Sequence, residues 1–432
     1  MGSLSELYAL MEQLATMRRA LVPHADTVHG NRGSLADGPA ALERIRDQIL
    51  SWPRHNGSFV LRAGDAGDIV TGLDYELTEL ERDIVFLRDG ESALLRLLVR
   101  QRPRFSAQVE ELSRRLSAFF ESENPRAGTA GASAAEGHHG AVRGRVAVDT
   151  FVTDRDGTVN NYCGRYRSSV QAIYNAVFLS RFAWRCCRRS VMLSSAPLCN
   201  GGLVDVSVNP DGVFVYAGSK GREFCDERGR YRAFPIDDQR KQLLDQFNLR
   251  LEQLLDHSEY GVFRLIGSSL QFKFGQTTVA RQDVDNSVSD RVSGRFLDEV
   301  NRLVTEVDPR REYLRVEDTG KDIEVILTVK DGSDAKDFDK GDGLTFVAGE
   351  LGLELDNSRT LICGDTSSDI PMARIAAQRS RDSLAVFVGA DDRLSAAVRS
   401  ANANASFASC PDVLVTALGG LEGSAGRDGN EL

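Results

Sequence analysis

The first 123 residues carry apolar side chains at three- and four-residue steps. Leu4, Leu7, Met11, Leu14 and Leu21 form one stripe, interrupted by Arg18, and this spacing puts them on one face of a helix. Ser3-Leu4-Ser5-Glu6 ahead of it has the form of a capping box, Ser3 covering a free amide and Glu6 reaching back. A second helix is predicted over Ala40–Trp52, stopped by Pro53. A third runs through Ile69, Leu73, Leu77, Leu80, Ile84 and Leu87, with Gly72 a mild internal penalty. A fourth follows Pro103, with Ser106 as its cap and a stripe through Val109, Leu112, Leu116 and Phe119. One stripe per helix implies an all-α bundle over residues 1–123, or helices that pack on a second copy or another protein.

Residues 124–144 are rich in Gly, Ala and Ser and read as a flexible linker, with His138-His139 solvated inside it. Beyond it, short β-branched runs appear at Thr150–Thr153, Val191–Leu193, Thr360–Cys363 and Leu384–Val388, with helical stretches between them. Strands alternating with helices indicate a parallel α/β sheet. Between Phe234 and Asp339 the order is different. A helix around Gln239–Leu255, strand-like Phe263–Leu265 and Leu270–Phe274, a helix around Ser289–Val304 and strand-like Ile323–Val329 suggest a compact α+β insertion. The expected division is a core of 145–235 and 336–420, an insertion of 236–335 and a disordered tail of 421–432.

A chain of 432 residues with 53 basic and 63 acidic side chains carries a formal charge of −10. That balance argues against a nucleic-acid or anionic-membrane surface, since phosphate binding needs clustered positive charge. No apolar run approaches the ~18 residues of a membrane span, and the start lacks a basic-then-apolar leader pattern. A cytoplasmic protein is expected. The seven cysteines are odd in number and lack CxxC spacing, which fits scattered reduced thiols. Cys363, inside an apolar strand, reads as an inert core thiol, and Cys186-Cys187 as not redox-active.

The α/β strands end in polar residues. Thr150–Thr153 runs into Asp154-Arg155-Asp156-Gly157-Thr158, two carboxylates where open α/β sheets bind ligands. A calcium loop is the competing reading, but it needs Gly sixth and Glu twelfth. Gly157 is fourth and Arg165 twelfth, so that reading fails. Thr360–Cys363 leads into Gly364-Asp365-Thr366-Ser367-Ser368-Asp369, whose carboxylates, with Asp154, suit a hard divalent cation such as Mg²⁺. Lys340-Gly341-Asp342-Gly343 opens a helix. A lysine there opposes the helix dipole, so an anionic group is expected beside it. Ser194-Ser195-Ala196 follows the apolar run Val191-Met192-Leu193 and can offer a hydroxyl and amides to a phosphate.

These four segments, in this order, resemble the motifs of the haloacid dehalogenase phosphatase superfamily. The resemblance implies a Rossmann-like core with an α+β "C2" cap. Lys340-Gly-Asp-Gly-Leu, the run Ile362 to Met372 and Gly218-Ser219-Lys220-Gly221-Arg222-Glu223 are similar to the trehalose-6-phosphate phosphatase family, nearest its nematode-type branch with an N-terminal helical module. The similarity covers about Val146 to Leu418. Its second motif reads Ser-Ser-Ala rather than Thr-Gly, and Arg155 stands at a commonly apolar position.

From that resemblance, Asp154 is expected to be the nucleophile, Asp156 the acid and base, and Lys340 and Ser194 phosphate contacts. Asp154, Asp156 (through its backbone carbonyl), Asp365 and Asp369 are expected around Mg²⁺. Arg222, Glu223, Lys273, Arg281 and Glu324 are expected to bind a sugar-phosphate substrate. Phosphatases for another sugar phosphate or a glycosyl-glycerate phosphate, and a non-catalytic regulatory relative, are the alternatives. Hinges are expected near Phe234 and Asp339.

Overall fold

The computed structural model describes residues 2–22, 37–122, 146–331 and 334–421. The expected linker with His138 and His139, and the tail beyond Leu421, lie outside the described residues.

The N-terminal region contains α1 (Leu4–Leu21), α2 (Gly38–Leu50), β1 (Arg54–His55), β2 (Ser58–Arg62), β3 (Asp68–Thr71), α3 (Asp74–Asp89), α4 (Glu91–Gln101) and α5 (Phe105–Glu121). Ser3 caps α1 by accepting the Glu6 amide at 3.0 Å. The region is mainly helical, but β1, β2 and β3 form a three-stranded antiparallel sheet absent from the sequence expectation. Ile69 accordingly sits in β3, and the third helix starts only at Asp74. Helix α5 begins at Phe105 after Arg104 turns through a positive φ of 65°, so Ser106 is not its cap. Arg18, the break in the first stripe, is buried and ion-paired with Asp83 at 2.7 Å.

The apolar stripes are covered by this same chain. Leu4, Leu7, Leu14 and Leu80 share one packed cluster with Val170 and with Phe247 and Phe263 of the insertion. Leu112, Leu116 and Phe119 pack with Phe178, Phe182 and Leu414.

The core holds an eight-stranded sheet, built from β4 (Val148–Thr153), β5 (Cys187–Leu193), β6 (Val215–Gly218), β7 (Glu223–Cys225), β8 (Tyr231–Ala233), β15 (Arg359–Gly364), β16 (Asp382–Val388) and β17 (Ala405–Ala408), in the order β17-β16-β15-β4-β5-β6-β7-β8. The six strands from β17 to β6 run parallel, and β7 and β8 are antiparallel to their neighbours. Strand β15 is buried at every position and β4 at five of six, as expected for strands covered on both faces. Those coverings are α6 (Ile173–Cys186), α7 (Leu203–Val206), α10 (Lys340–Leu351), α11 (Ile370–Arg379), α12 (Asp392–Ala401) and α13 (Pro411–Gly419).

The cap carries α8 (Asp238–Leu255) and α9 (Asp290–Val307) with β9 (Leu270–Lys273), β10 (Gln276–Ala280), β11 (Leu314–Asp318) and β12 (Asp322–Leu327), ordered β11-β12-β10-β9 and all antiparallel. A short pair, β13 (Val329–Asp331) with β14 (Asp334–Lys336), leads back to the core. The expected strand at 263–265 is instead part of a 3-10 turn, Gly261–Arg264. Phe263 there stacks on Phe296 of α9 with ring centres 4.2 Å apart, and a three-residue apolar run does not by itself distinguish a strand from such a turn.

Candidate active site

Parallel pairing of β4 with β15, with Thr153 opposite Cys363, brings the two strand ends level. The backbone then releases Asp154 and Asp365 side by side. Gly157 turns through φ +87°, and a Cβ on it would lie 2.0 Å from Asp365 Oδ2. The loop after β4 can therefore close on Asp365 only with glycine at that position.

Helix α10 delivers Lys340 to the same strand ends. Asp339 caps it, accepting the Gly341 and Asp342 amides at 2.8 and 3.0 Å, while Asp342 accepts the Asp339 amide at 3.1 Å. Lys340 is thus the first helical residue, and the anionic partners expected for it are present. Its Nζ donates to Asp154 Oδ1 at 2.7 Å and to Asp369 Oδ1 at 2.6 Å. Asp369 is wholly buried, and its Oδ2 accepts the Asp365 and Thr366 amides, each at 3.0 Å. Thr158 Oγ1, which the motif reading left without a role, donates to Asp365 Oδ1 at 3.2 Å.

Carboxylate oxygens of Asp154, Asp365 and Asp369 lie within 4.8 Å of one another. One ammonium does not balance three carboxylates. Burial pushes the Asp154 carboxyl up to about 6 despite Lys340, and Asp369 adds to the rise. Burial, then the charges of Asp154 and Asp369, push Asp365 up to about 8. Burial draws the Lys340 amine down, but Asp154 and Asp369 outweigh it and hold the amine above its ordinary value. A site built of hard oxygen donors with surplus negative charge fits a divalent cation such as Mg²⁺. The Asp156 carboxylate is not part of this group.

The other expected residues divide into two sets. Ser194 is buried at the end of β5, and its Oγ accepts the Ala196 amide at 3.2 Å, while Ser195 is half-buried. Asp156 Oδ1 accepts a bond from Ser169 Oγ at 2.6 Å and is paired with Arg155. By strand register, Lys273 lies with Gln271 and Glu324 on one face of the cap sheet. Burial lowers the Lys273 amine, Glu324 opposes that, and Lys220 of the core adds to it. Lys220 itself sits at a positive φ of 62°, its amide donating to Ser194 O at 2.9 Å. Lys220 lies in the same Gly218–Glu223 segment as Arg222, and nothing in its residue type or spacing sets it apart there.

Two of the arginines are committed elsewhere. Arg222 is buried and donates to Gly275 O and Leu327 O of the cap, both at 2.9 Å. Arg281 donates to Ser293 Oγ at 3.0 Å and pairs with Asp318 within the cap. These guanidinium groups act as struts in this structure. Glu223 accepts from Ser219 Oγ at 2.7 Å, the Leu198 amide and Tyr231, and so shapes the loop between core and cap. Cys363 is buried, its thiol pushed up by desolvation as expected of an inert core residue. Among the described residues no helix is long and apolar enough to cross a membrane.

A family model described as trehalose-6-phosphate phosphatase, C-terminal, matches residues 151–414. A Caenorhabditis elegans protein named alpha,alpha-trehalose-phosphate synthase (UDP-forming) 2 is 30% identical over 434 residues, covering 96% of this chain but 33% of its own length. A trehalose-phosphatase of Brugia malayi is 35% identical over 275 residues, 62% of this chain and 55% of that one. The chain therefore spans about a third of the first of these relatives. A solved trehalose-6-phosphate phosphatase of Aspergillus fumigatus aligns over 63% of the chain at 16% identity with a TM-score of 0.35, too loose a likeness to add to the argument. On the match to residues 151–414, which cover the motifs at Asp154, Ser194, Lys340 and Asp365, the chain belongs to the trehalose-6-phosphate phosphatase family.

Proposed function

We propose that this chain is a Mg²⁺-dependent phosphatase that hydrolyses trehalose 6-phosphate to trehalose and phosphate through an aspartyl-phosphate. The observation that carries the reading is Lys340 Nζ joined to both Asp154 and Asp369 at a strand end, with Asp365 beside them. The name of the Brugia malayi relative supports the substrate.

A phosphate monoester repels nucleophiles through its own charge, so the site must neutralise that charge and align an attacking oxygen. Bound Mg²⁺, held by Asp154, the Asp156 carbonyl and Asp365 with Asp369 behind them, would supply part of that neutralisation. Lys340 supplies the rest and orients Asp154. The Asp154 carboxylate attacks phosphorus, the bond from phosphorus to the sugar oxygen breaks, and Asp156 gives that oxygen its proton. Asp156, now a carboxylate, takes a proton from water as the water attacks phosphorus. Phosphate leaves and the Asp154 carboxylate is regenerated. Ser194 donates to a phosphoryl oxygen. Lys273 and Glu324 on the cap contact the sugar hydroxyls.

The test is phosphate release from a panel of sugar phosphates, with Mg²⁺ and again with EDTA. Trehalose 6-phosphate is expected to have the highest kcat/KM, and EDTA to abolish turnover. Equal rates across the panel would remove the substrate assignment, and undiminished turnover in EDTA would remove the metal.

A further inference from the structure

Asp156 has a second set of neighbours that connects it to the N-terminal region. Ser169 Oγ donates to Asp156 Oδ1 at 2.6 Å, and the Asn160 side-chain amide donates to Ser169 Oγ at 3.2 Å. That same amide donates to the Tyr75 hydroxyl at 3.0 Å, and the hydroxyl donates in turn to Val170 O at 3.2 Å. Tyr75 belongs to α3, more than 80 residues before Asp156 in sequence. Asn160 and Ser169 are buried. Among the described residues, the hydrogen bonds given to Asp156 fall on Oδ1.

The loop from Asn160 to Val170 is anchored to the N-terminal region at further points. Asn161 donates to Glu79 Oε1 at 3.0 Å, Arg165 pairs with Glu76 at 3.1 Å, and Arg18 donates to Val170 O at 2.8 Å. The loop that follows Asp156 is therefore anchored on α1 and α3.

We propose that Tyr75 is a positioning residue for Asp156, acting through Asn160 and Ser169. This rests on the reading of Asp156 as the acid and base. Ser169 holds Oδ1, which fixes the plane of the carboxyl and turns Oδ2 toward the reacting oxygen. Tyr75 bridges the two ends of the loop, at Asn160 and Val170, and so fixes where Ser169 stands. Proton transfer is sensitive to small displacements of the donor.

The experiment uses the full chain, with Tyr75→Phe, Ser169→Ala and Asp156→Asn made singly and Tyr75→Phe also made in the Asp156→Asn background. Turnover of trehalose 6-phosphate is measured with Mg²⁺, and melting temperature on each variant. Tyr75→Phe is expected to lower kcat roughly 5- to 30-fold with KM changed less than about 2-fold, since a small misplacement of a catalytic group costs up to ~10²-fold. Ser169→Ala should do the same. In the Asp156→Asn background Tyr75→Phe should leave the residual turnover unchanged, because the group it positions is gone. Unchanged kcat in Tyr75→Phe, or an equal further loss in the double variant, would overturn the proposal. Full activity in Asp156→Asn alone would instead overturn the acid–base reading beneath it.

Discussion

Lys340 meets two carboxylates at once, and a third stands close enough to feel both, so charge balance governs what each residue of the site does. Asp154→Asn keeps an oxygen to accept from Lys340 while removing the proposed nucleophile. It is expected to fold normally and to lose kcat by at least ~10³-fold, the scale on which members of an interdependent catalytic set fail. Circular dichroism with phosphate release checks both halves. The metal-free site makes a second prediction. Asp154 and Asp365 hold protons up to about 6 and about 8 when folded, whereas free carboxyls lose theirs near ~4. Over that window the folded state binds more protons than the unfolded one, so metal-free stability falls as pH rises. Mg²⁺ competes with those protons for the same oxygens, so its stabilisation should be larger at pH ~8.5 than at ~5.5. Melting curves with and without Mg²⁺ at both values test this, and an equal shift at the two would deny that the carboxylates are the ligands.

Elements hold the cap on the core through their connections. Arg222, in the turn before β7, reaches two carbonyls of the cap and lies over the Phe338 ring with its guanidinium 4.8 Å from the centroid. Burial lowers it to about 10, with no carboxylate in ion-pair contact among the described residues. Arg222→Ala would strand both carbonyls and is expected to cost ~2–4 kcal/mol, from two hydrogen bonds to a charged donor. Because the cap then loses its register on the core, KM for the sugar phosphate should rise several-fold more than KM for an aryl phosphate. Urea unfolding and paired kinetics measure the two effects. This role for Arg222 was not legible in the sequence, because its partners Gly275 and Leu327 lie 53 and 105 residues away and offer only backbone. Strands β4, β5, β15 and β16 were legible, since burial on both faces writes them as continuous apolar runs, and β4, β5 and β15 lead straight into Asp154, Ser194 and Asp365. Short β1 and β3 carry no such run, and Ile69 happens to fall in step with the following helix. Helix α4 buries only Leu94 and Leu98, too brief a stripe to register.

At the scale of the molecule, the N-terminal region meets the core through buried charges, Arg18 at Val170 O and Arg82 at Asp412, which a pattern of apolar stripes does not announce. Arg18 looked like a defect in its helix, yet with Asp83 it forms an ion pair almost fully out of solvent. Arg18 Nε and Asp83 Oδ2 are close but poorly aligned, leaving both without a well-directed hydrogen bond. Asp83 Oδ1 meanwhile accepts the Ile173 amide at 2.7 Å, at the start of α6, where the helix dipole favours an acceptor. The two halves of the pair are therefore unequal. Arg18→Met leaves a buried carboxylate without its cation, which costs ~3–5 kcal/mol. Adding Asp83→Asn removes the stranded charge and retains an acceptor for Ile173, so the double variant should regain more than half of that loss. Burial already pushes the Asp83 carboxyl above its ordinary value, and loss of Arg18 pushes it further. The single variant should consequently lie closer to wild type at acid pH, where Asp83 takes a proton, than at neutral pH. Denaturant midpoints for the three proteins at two pH values decide it. A double variant no more stable than Arg18→Met would mean that the arginine holds the N-terminal region through Val170 O alone, with the pairing to Asp83 contributing nothing.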